Sequence, residues 1–284
     1  MCRFVLYLGP PLPLAALTTA PAHSIVNQSI RSRETEEPLN GDGFGVAWYA
    51  PEVSPEPAVF RSVTPAWNNR NLLDLARVTR SGCILAHVRA ATQGLPVAEV
   101  NCHPFAVGRH AFMHNGDVGG FARIRRTLRR SLTDRVYDLI QGSTDSEHVF
   151  AMFLDRLPPP GGEDAGEGMA LALESTIKHL VGMVRDAGVE EPTYLNLAVS
   201  DGVAAVACRF TTGDPGDAAS LYLDTGRRYL CDGGVCRMVE PERGQGAVIV
   251  ASEPLGDELG WRVVPANHMV VVREDRAVEL RPCP

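Results

Sequence analysis

Short apolar runs dominate the first part of the chain. Cys2 to Leu8 is apolar and β-prone, and Gly45-Val46-Ala47-Trp48-Tyr49 follows the turn-forming Asn40-Gly41-Asp42-Gly43. Ile84 to Val88 and Ala111-Phe112-Met113-His114 are further runs, the last ending at Asn115-Gly116. Runs of this kind bounded by Gly, Asn and Asp predict strands. The pattern then turns helical. Thr133 to Ile140 and Ser146 to Leu157 carry apolar residues at helical spacing, with Asp145 or Ser146 as a cap for the second. Pro158-Pro159-Pro160-Gly161-Gly162 and the acidic stretch to Gly168 predict a surface loop over 158–168, and a long amphipathic helix over Met169 to Ala187 follows. Strand patterns return at Leu195 to Val199 and Val203 to Phe210, which flank the hairpin signal Ser200-Asp201-Gly202, and again at Val248-Ile249-Val250 and Met269 to Val272. Strands, then helices, then strands, without regular β-α alternation, predict an α+β fold with segregated layers around antiparallel sheets.

Composition narrows the function classes. A chain of 284 residues with 45% hydrophobic positions can bury a sizeable core, and it reads as one domain over 1–284. The net charge of −7 disfavours nucleic acid and acidic membrane as partners. Arg123-Ile124-Arg125-Arg126 with Arg129-Arg130 is the local exception and reads as a solvated helix face. No stretch approaches the ~20 apolar residues of a membrane span, and the N-terminus lacks the pattern of a signal peptide. The expected compartment is the cytosol, where the seven cysteines stay mostly reduced. Cys231 and Cys236 have no second pair at zinc spacing, so no metal site is expected, and nothing demands a cofactor.

The candidate chemistry begins at Met1-Cys2. Loss of Met1 puts an α-amine and a thiol on one residue. The amine's reference pKa of ~7.7–8.0 leaves neutral amine available as a local base near neutral pH. The plain alternative is a small buried residue at the start of a strand. In Ala86-His87-Val88-Arg89-Ala90-Ala91-Thr92, Arg89 is either a surface charge or a planar fork that grips a carboxylate through two bonds. In His114-Asn115-Gly116-Asp117, Asn-Gly is first a turn signal, but the Asn115 amide and Gly116 N–H can also converge on an oxyanion. Gly142-Ser143-Thr144-Asp145-Ser146-Glu147 caps a helix or offers the Asp145 carboxylate to an ammonium. His103 and Asp42 are read as structural, His103 orienting the loop that enters Pro104.

Taken in order, Met-Cys, the HxRxAT-like run, HNG and TDSE resemble the class II glutamine amidotransferases of the N-terminal nucleophile hydrolase superfamily. The resemblance implies a four-layer αββα sandwich with antiparallel sheets. It also implies roles: Cys2 as nucleophile, Asn115 and Gly116 as oxyanion hole, Arg89 for the substrate α-carboxylate and Asp145 for its α-amine. Further stretches narrow it: Met1-Cys2-Arg3-Phe4, Pro21-Ala22-His23-Ser24-Ile25 through Ser29, Asn40 to Val46, Thr64 to Asn69, Asn101-Cys102-His103-Pro104-Phe105, and Gln141 to Glu147. These are similar to the amidotransferase subunit of the fungal glutathione-degradation complex, its bacterial relatives and the ergothioneine-pathway amidohydrolases. The implied substrate is a γ-glutamyl compound, glutamine or glutathione. The implied partner is a separate peptidase or amide-accepting chain, since nothing in the sequence reads as an ammonia-using domain. The clamp residues hold the glutamyl head group that glutamine and glutathione share, so the motifs leave the leaving group open. Two other readings stand beside this one: an ergothioneine-type γ-glutamyl amidohydrolase, and a non-catalytic subunit that senses glutamine or glutathione.

Overall fold

The computed structural model describes residues 2–35, 38–91, 96–159, 164–233, 235–239, 246–257 and 260–284. Met1, Thr92 and the Pro160 to Glu163 part of the expected loop lie outside the described residues. The strands are β1 (Arg3–Pro13), β2 (Phe44–Ala50), β3 (Ser54–Ser62), β4 (Arg80–Val88), β5 (Phe105–Val107), β6 (His110–Asp117), β7 (Tyr194–Ser200), β8 (Ala205–Thr211), β9 (Tyr222–Gly226), β10 (Arg228–Asp232), β11 (Val235–Val239), β12 (Ala247–Ala251), β13 (Arg262–Val263), β14 (His268–Val272) and β15 (Val278–Pro282). The helices are α1 (Ala15–Thr18), α2 (Ile25–Ile30), α3 (Arg70–Val78), α4 (Phe121–Ser131), α5 (Asp134–Tyr137), α6 (Asp145–Leu154) and α7 (Ala165–Asp186).

Among the described residues, β13-β9-β12-β1-β4-β2-β3 form one sheet and β15-β14-β8-β7-β6-β5 a second. Their ladders are antiparallel. Alternation along the strands builds three apolar layers. Phe4, Leu6 and Leu8 of β1 meet Met113 of β6, Ala198 of β7 and Val270 of β14 between the sheets. Val5 and Tyr7 point the other way, into a layer with Leu17, Ile25, Leu72 and Ala76 from α1–α3. Phe112, Leu195, Leu197 and Val199 of the second sheet pack on Ile124, Phe153, Leu173 and Leu180 from α4, α6 and α7. The result is the αββα sandwich of the N-terminal nucleophile hydrolases. β1 is apolar on both sides because both of its faces are covered.

Several elements differ from expectation. The Asn115-Gly116 pair lies inside β6, because the ladder to β7 continues through Asn115, Gly116 and Asp117. Thr144, not Asp145 or Ser146, caps α6, its hydroxyl accepting from Glu147 N–H at 3.3 Å. The helix expected over Thr133 to Ile140 reduces to the single turn α5. α7 begins at Ala165, inside the expected loop, because Asp164 caps it through Gly166 N–H at 2.8 Å. The basic run lies on α4, whose buried side chains are Ile124 and Leu128. Cys231 and Cys236, opposite each other in the β10–β11 ladder, form a disulfide. That corrects the expectation of reduced thiols at this pair; Cys2, Cys83, Cys102, Cys208 and Cys283 are free.

Candidate active site

The apolar layer between the sheets turns polar at one end. Continuing the inward alternation of β1 backwards from Phe4 reaches Cys2, and continuing β4 past Cys83 and Leu85 reaches His87 and then Arg89. On the facing sheet the register of Ala111 and Met113 continues to Asn115, and in β12 that of Val248 and Val250 continues to Ser252. Core-forming residues thus give way, in four strands at once, to thiol, imidazole, guanidinium, amide and hydroxyl.

Hydrogen bonds tie these groups together. Cys2 is half-buried; its Sγ accepts from Ala90 N–H at 3.3 Å and lies 3.4 Å from Ala90 C=O. His87 Nε2 is 2.9 Å from Asn115 Oδ1, joining the two sheets, and Asn115 Nδ2 donates to Ser252 Oγ at 2.8 Å. The other Asn115 N–H is left for another acceptor. Arg89 is 4% exposed; its Nη1 is enclosed without a hydrogen-bond partner, and its guanidinium makes no ion pair among the described residues. Asp145 sits in the first turn of α6 and docks on the end of β6. Its carboxylate accepts from Val118 N–H at 2.9 Å and Ser146 N–H at 2.7 Å, while His114 Nδ1 meets Ser146 Oγ at 2.9 Å. Gly116 adopts φ +145, and a Cβ there would collide with the Tyr194 carbonyl, so no side chain fits.

The loops carrying these groups are held by the remaining motifs. Asp42 N–H donates to Arg89 C=O at 3.0 Å, Arg89 N–H to Gly43 C=O at 2.8 Å, and the Asp42 carboxylate accepts from Ala91 N–H at 2.8 Å. Asp42 therefore braces the segment after β4. His103 packs its ring on His87 and Phe105, with centroids 4.4 and 4.5 Å away, and its carbonyl lies against Gly45, where a Cβ would collide. Glu147 turns back to accept from Gln141 N–H at 2.9 Å and Gly142 N–H at 2.6 Å.

This constellation sits in a chain whose residues 15–212 match the family described as glutamine amidotransferases class-II. The probable glutamine amidotransferase DUG3 of Saccharomyces cerevisiae is 41% identical over 96% of this chain and 82% of its own length. The chain belongs to the class II glutamine amidotransferases. A gamma-glutamyl-hercynylcysteine sulfoxide hydrolase of Mycolicibacterium smegmatis is 27% identical over 98% of both chains. A solved structure, a glutamine aminotransferase class-II domain protein from Silicibacter pomeroyi, is 30% identical over the whole of both chains, with a TM-score of 0.68.

Two polar residues of this amidotransferase were not foreseen. Glu253 is fully buried beneath the N-terminal strand; its carboxylate meets Arg3 Nε at 2.7 Å and His23 Nε2 at 2.6 Å and accepts from Arg33 N–H at 2.9 Å. Arg3 Nη1 then donates to the Cys2 carbonyl at 2.9 Å. Burial alone would raise the Glu253 carboxyl, but His23, the Arg33 N–H and Arg3 outweigh it and bring its pKa down to about 2. Ser252 is the second, on the opposite face. Only the Arg3-Phe4 and His23 motif stretches signalled this brace; its partner comes from the far end of the sequence.

Electrostatics divide the site. Burial pushes the Cys2 thiol pKa up, against the opposing pull of Ala90 N–H and the charges of Arg89 and Arg3. Burial holds His87 down to about 3 and His103 well below its ordinary value, so both imidazoles are neutral at physiological pH. Asp117, beside Asp145, has its carboxyl raised by burial and by the Asp145 charge. The Arg89 guanidinium lies on the β4 side, and the Asp145 and Asp117 carboxyls lie at the end of β6.

Proposed function

We propose that the chain, acting as one amidotransferase domain over 1–284, hydrolyses γ-glutamyl amide bonds with Cys2 as nucleophile. The observation that supports this reading is the polar end of the inter-sheet layer, where a half-buried thiol, a buried guanidinium without an ion pair among the described residues and an inward-facing carboxamide lie at the ends of adjoining strands. Arg89 takes the substrate α-carboxylate and Asp145 its α-ammonium, which aligns the γ-carbonyl with Cys2. The opposite signs of charge at Arg89 and Asp145 suit a zwitterionic head group.

The step begins with Met1 removed. The neutral α-amine of Cys2 takes the thiol proton, and the sulfur adds to the γ-carbonyl carbon. The carbonyl electron pair moves to oxygen, where the second Asn115 N–H and Gly116 N–H stabilise it; one such donor is worth roughly 3–4 kcal/mol. Collapse breaks the carbon–nitrogen bond, and the leaving amine receives the proton held by the α-ammonium. Water then hydrolyses the thioester and releases glutamate. The elevated thiol pKa makes this local base necessary.

The leaving group we favour is an amino-acid or peptide amine, as in glutathione. The Mycolicibacterium relative supports this, being named for a γ-glutamyl compound whose leaving group is much larger than ammonia. A separate peptidase or amide-accepting chain then consumes the product. A free Cys2 thiol suits a reducing cytosol.

The test follows glutamate release from glutamine, glutathione and γ-glutamyl amides with sulfur-containing leaving groups, with intact-mass analysis of the same protein. Loss of Met1, a glutamyl adduct on Cys2 and release from a γ-glutamyl peptide are expected, and Cys2→Ala abolishes all release. Release by Cys2→Ala rejects the mechanism. Glutaminase activity without cleavage of any peptide, with candidate partner chains added, rejects the peptide assignment.

A further inference from the structure

β12 ends at Ala251, and the next residue continues its inward register toward the site. Ser252 is fully buried. Its N–H donates to Phe4 C=O at 2.9 Å, and its Oγ accepts from Phe4 N–H at 3.0 Å and from Asn115 Nδ2 at 2.8 Å. One hydroxyl therefore holds both the strand that leads to Cys2 and the carboxamide beside it. From the opposite side, His87 Nε2 meets Asn115 Oδ1 at 2.9 Å. A carboxamide oxygen only accepts, so His87 carries its proton on Nε2. Deep burial keeps that ring neutral against the opposing pull of Asn115 and the His114 backbone, and its Nδ1 is enclosed with no partner at full hydrogen-bond geometry.

The orientation of Asn115 matters because its two ends have opposite effects. An N–H facing a developing oxyanion stabilises it, and an oxygen in the same place repels it. A flipped amide would require Ser252 to become a donor while His87 moved its proton to Nδ1, two coupled changes in a buried setting. The Phe4 N–H already occupies one lone pair of Ser252, which favours the hydroxyl's role as acceptor. Resting on the hydrolase reading of Asn115, we propose that Ser252 and His87 are positioning residues: together they fix the Asn115 amide with its second N–H toward the γ-carbonyl. Ser252 also locks that donor to the nucleophile strand, so that the two cannot drift apart.

The test combines kinetics with a readout independent of catalysis. Ser252→Ala removes the acceptor and His87→Leu the donor, while Ser252→Thr and His87→Gln keep them. Ser252→Ala and His87→Leu are expected to lower kcat by about tenfold or more, a fraction of the ~10²–10³ lost when an oxyanion donor is deleted. KM stays within about twofold, because the head-group clamp is untouched. Met1 removal and the rate of Cys2 alkylation stay at wild-type values, and the conservative variants recover most of kcat. In ¹⁵N-labelled wild-type protein, of the two Asn115 side-chain N–H protons, assigned by their loss in Asn115→Ala, the one bonded to Ser252 is protected from solvent exchange; in Ser252→Ala it is not. Two unprotected Asn115 side-chain protons in the wild type, with none shielded at Ser252, overturn the proposal even if the variants fold poorly. So does wild-type kcat in Ser252→Ala or His87→Leu, or a change confined to KM. A wild-type protein that cleaves no γ-glutamyl substrate rejects the hydrolase reading itself and the catalytic role drawn here; active wild type with indifferent variants rejects the positioning alone.

Discussion

Cys2 is subject to opposing influences that decide how it reacts. Burial disfavours the thiolate, while Ala90 N–H and the Arg89 and Arg3 charges favour it, and burial prevails. In protein that retains Met1, alkylation of Cys2 is therefore expected to rise with pH through a midpoint above the ~8.5 of a free thiol. A midpoint below that value contradicts the balance. Arg89 presents the complementary case, a buried cation with an unpartnered Nη1. Arg89→Lys keeps the charge but loses the planar fork. Glutamate release is expected to fall by at least about tenfold, and by the same factor for glutamine and glutathione, since both share the head group. A shift in preference between them, at preserved rate, would reject the carboxylate-gripping role proposed for Arg89. The motifs single out Cys2, Arg89, Asn115, Gly116 and Asp145 as candidates, and the structure places Cys2, Arg89 and Asn115 at the polar end of the inter-sheet layer and Asp145 against the end of β6. Ser252 and Glu253 were not legible in this way, because Ser-Glu-Pro after an apolar run reads as the start of a loop. Their meaning depends on β12 lying beside β1, a pairing that no local pattern encodes.

At the scale of elements, the instructive stretch is β6. Asn-Gly ordinarily marks a turn, yet here the ladder to β7 runs through it. Tertiary pairing overrides the local signal because Gly116 lets the strand pass the Tyr194 carbonyl at a φ that other residues avoid. Gly116→Ala is expected to destabilise the protein by about 2–4 kcal/mol, combining backbone strain with a buried clash. Urea denaturation checks this; a loss below about 1 kcal/mol would mean that β6 relaxes around the methyl group. α6 shows the converse. Its start was legible, but the cap is Thr144, and that choice frees Asp145 to dock on Val118 at the end of β6. The strands that form near-continuous apolar runs, β1, β2, β4, β6, β7, β8, β12 and β14, were all visible in the sequence, because both of their faces are covered. β10 and β11 were not. Their buried and exposed positions alternate, but charged residues interrupt any apolar run, and the two cysteines were read only as a pair without a second pair at zinc spacing.

For the whole molecule, the fold buries imidazoles as well as hydrocarbon, His87 and His103 at the polar end of the inter-sheet layer and His148 on α6 against α4, and this sets the response to acid. His87 is held down to about 3 and His148 to about 4, both chiefly by burial, and His103 shifts the same way. In the unfolded chain these rings take up protons near pH ~6.5. Below that pH the unfolded state binds more protons than the folded one, so stability falls as pH falls. Each such histidine contributes a slope of about 1.4 kcal/mol per pH unit until its folded pKa is reached. Glu253 adds to the loss at lower pH. Its folded pKa of about 2 lies below the unfolded value of ~4.3, so its contribution is complete above that value and disappears on going down toward 2. The unfolding free energy is thus expected to be nearly level from about pH 8 to 7 and to drop steeply from about pH 6 to 4. His103 offers the clearest variant, since neither ring nitrogen has a hydrogen-bond partner to lose. His103→Asn, neutral at every pH in this range, should reduce the slope just below pH ~6.5, because burial holds the His103 ring neutral in the folded chain where the unfolded chain takes up a proton. Denaturation curves for both proteins at a series of pH values decide it. Equal slopes would show that His103 titrates alike in the folded and unfolded chains, and that the polar end of the inter-sheet layer admits water.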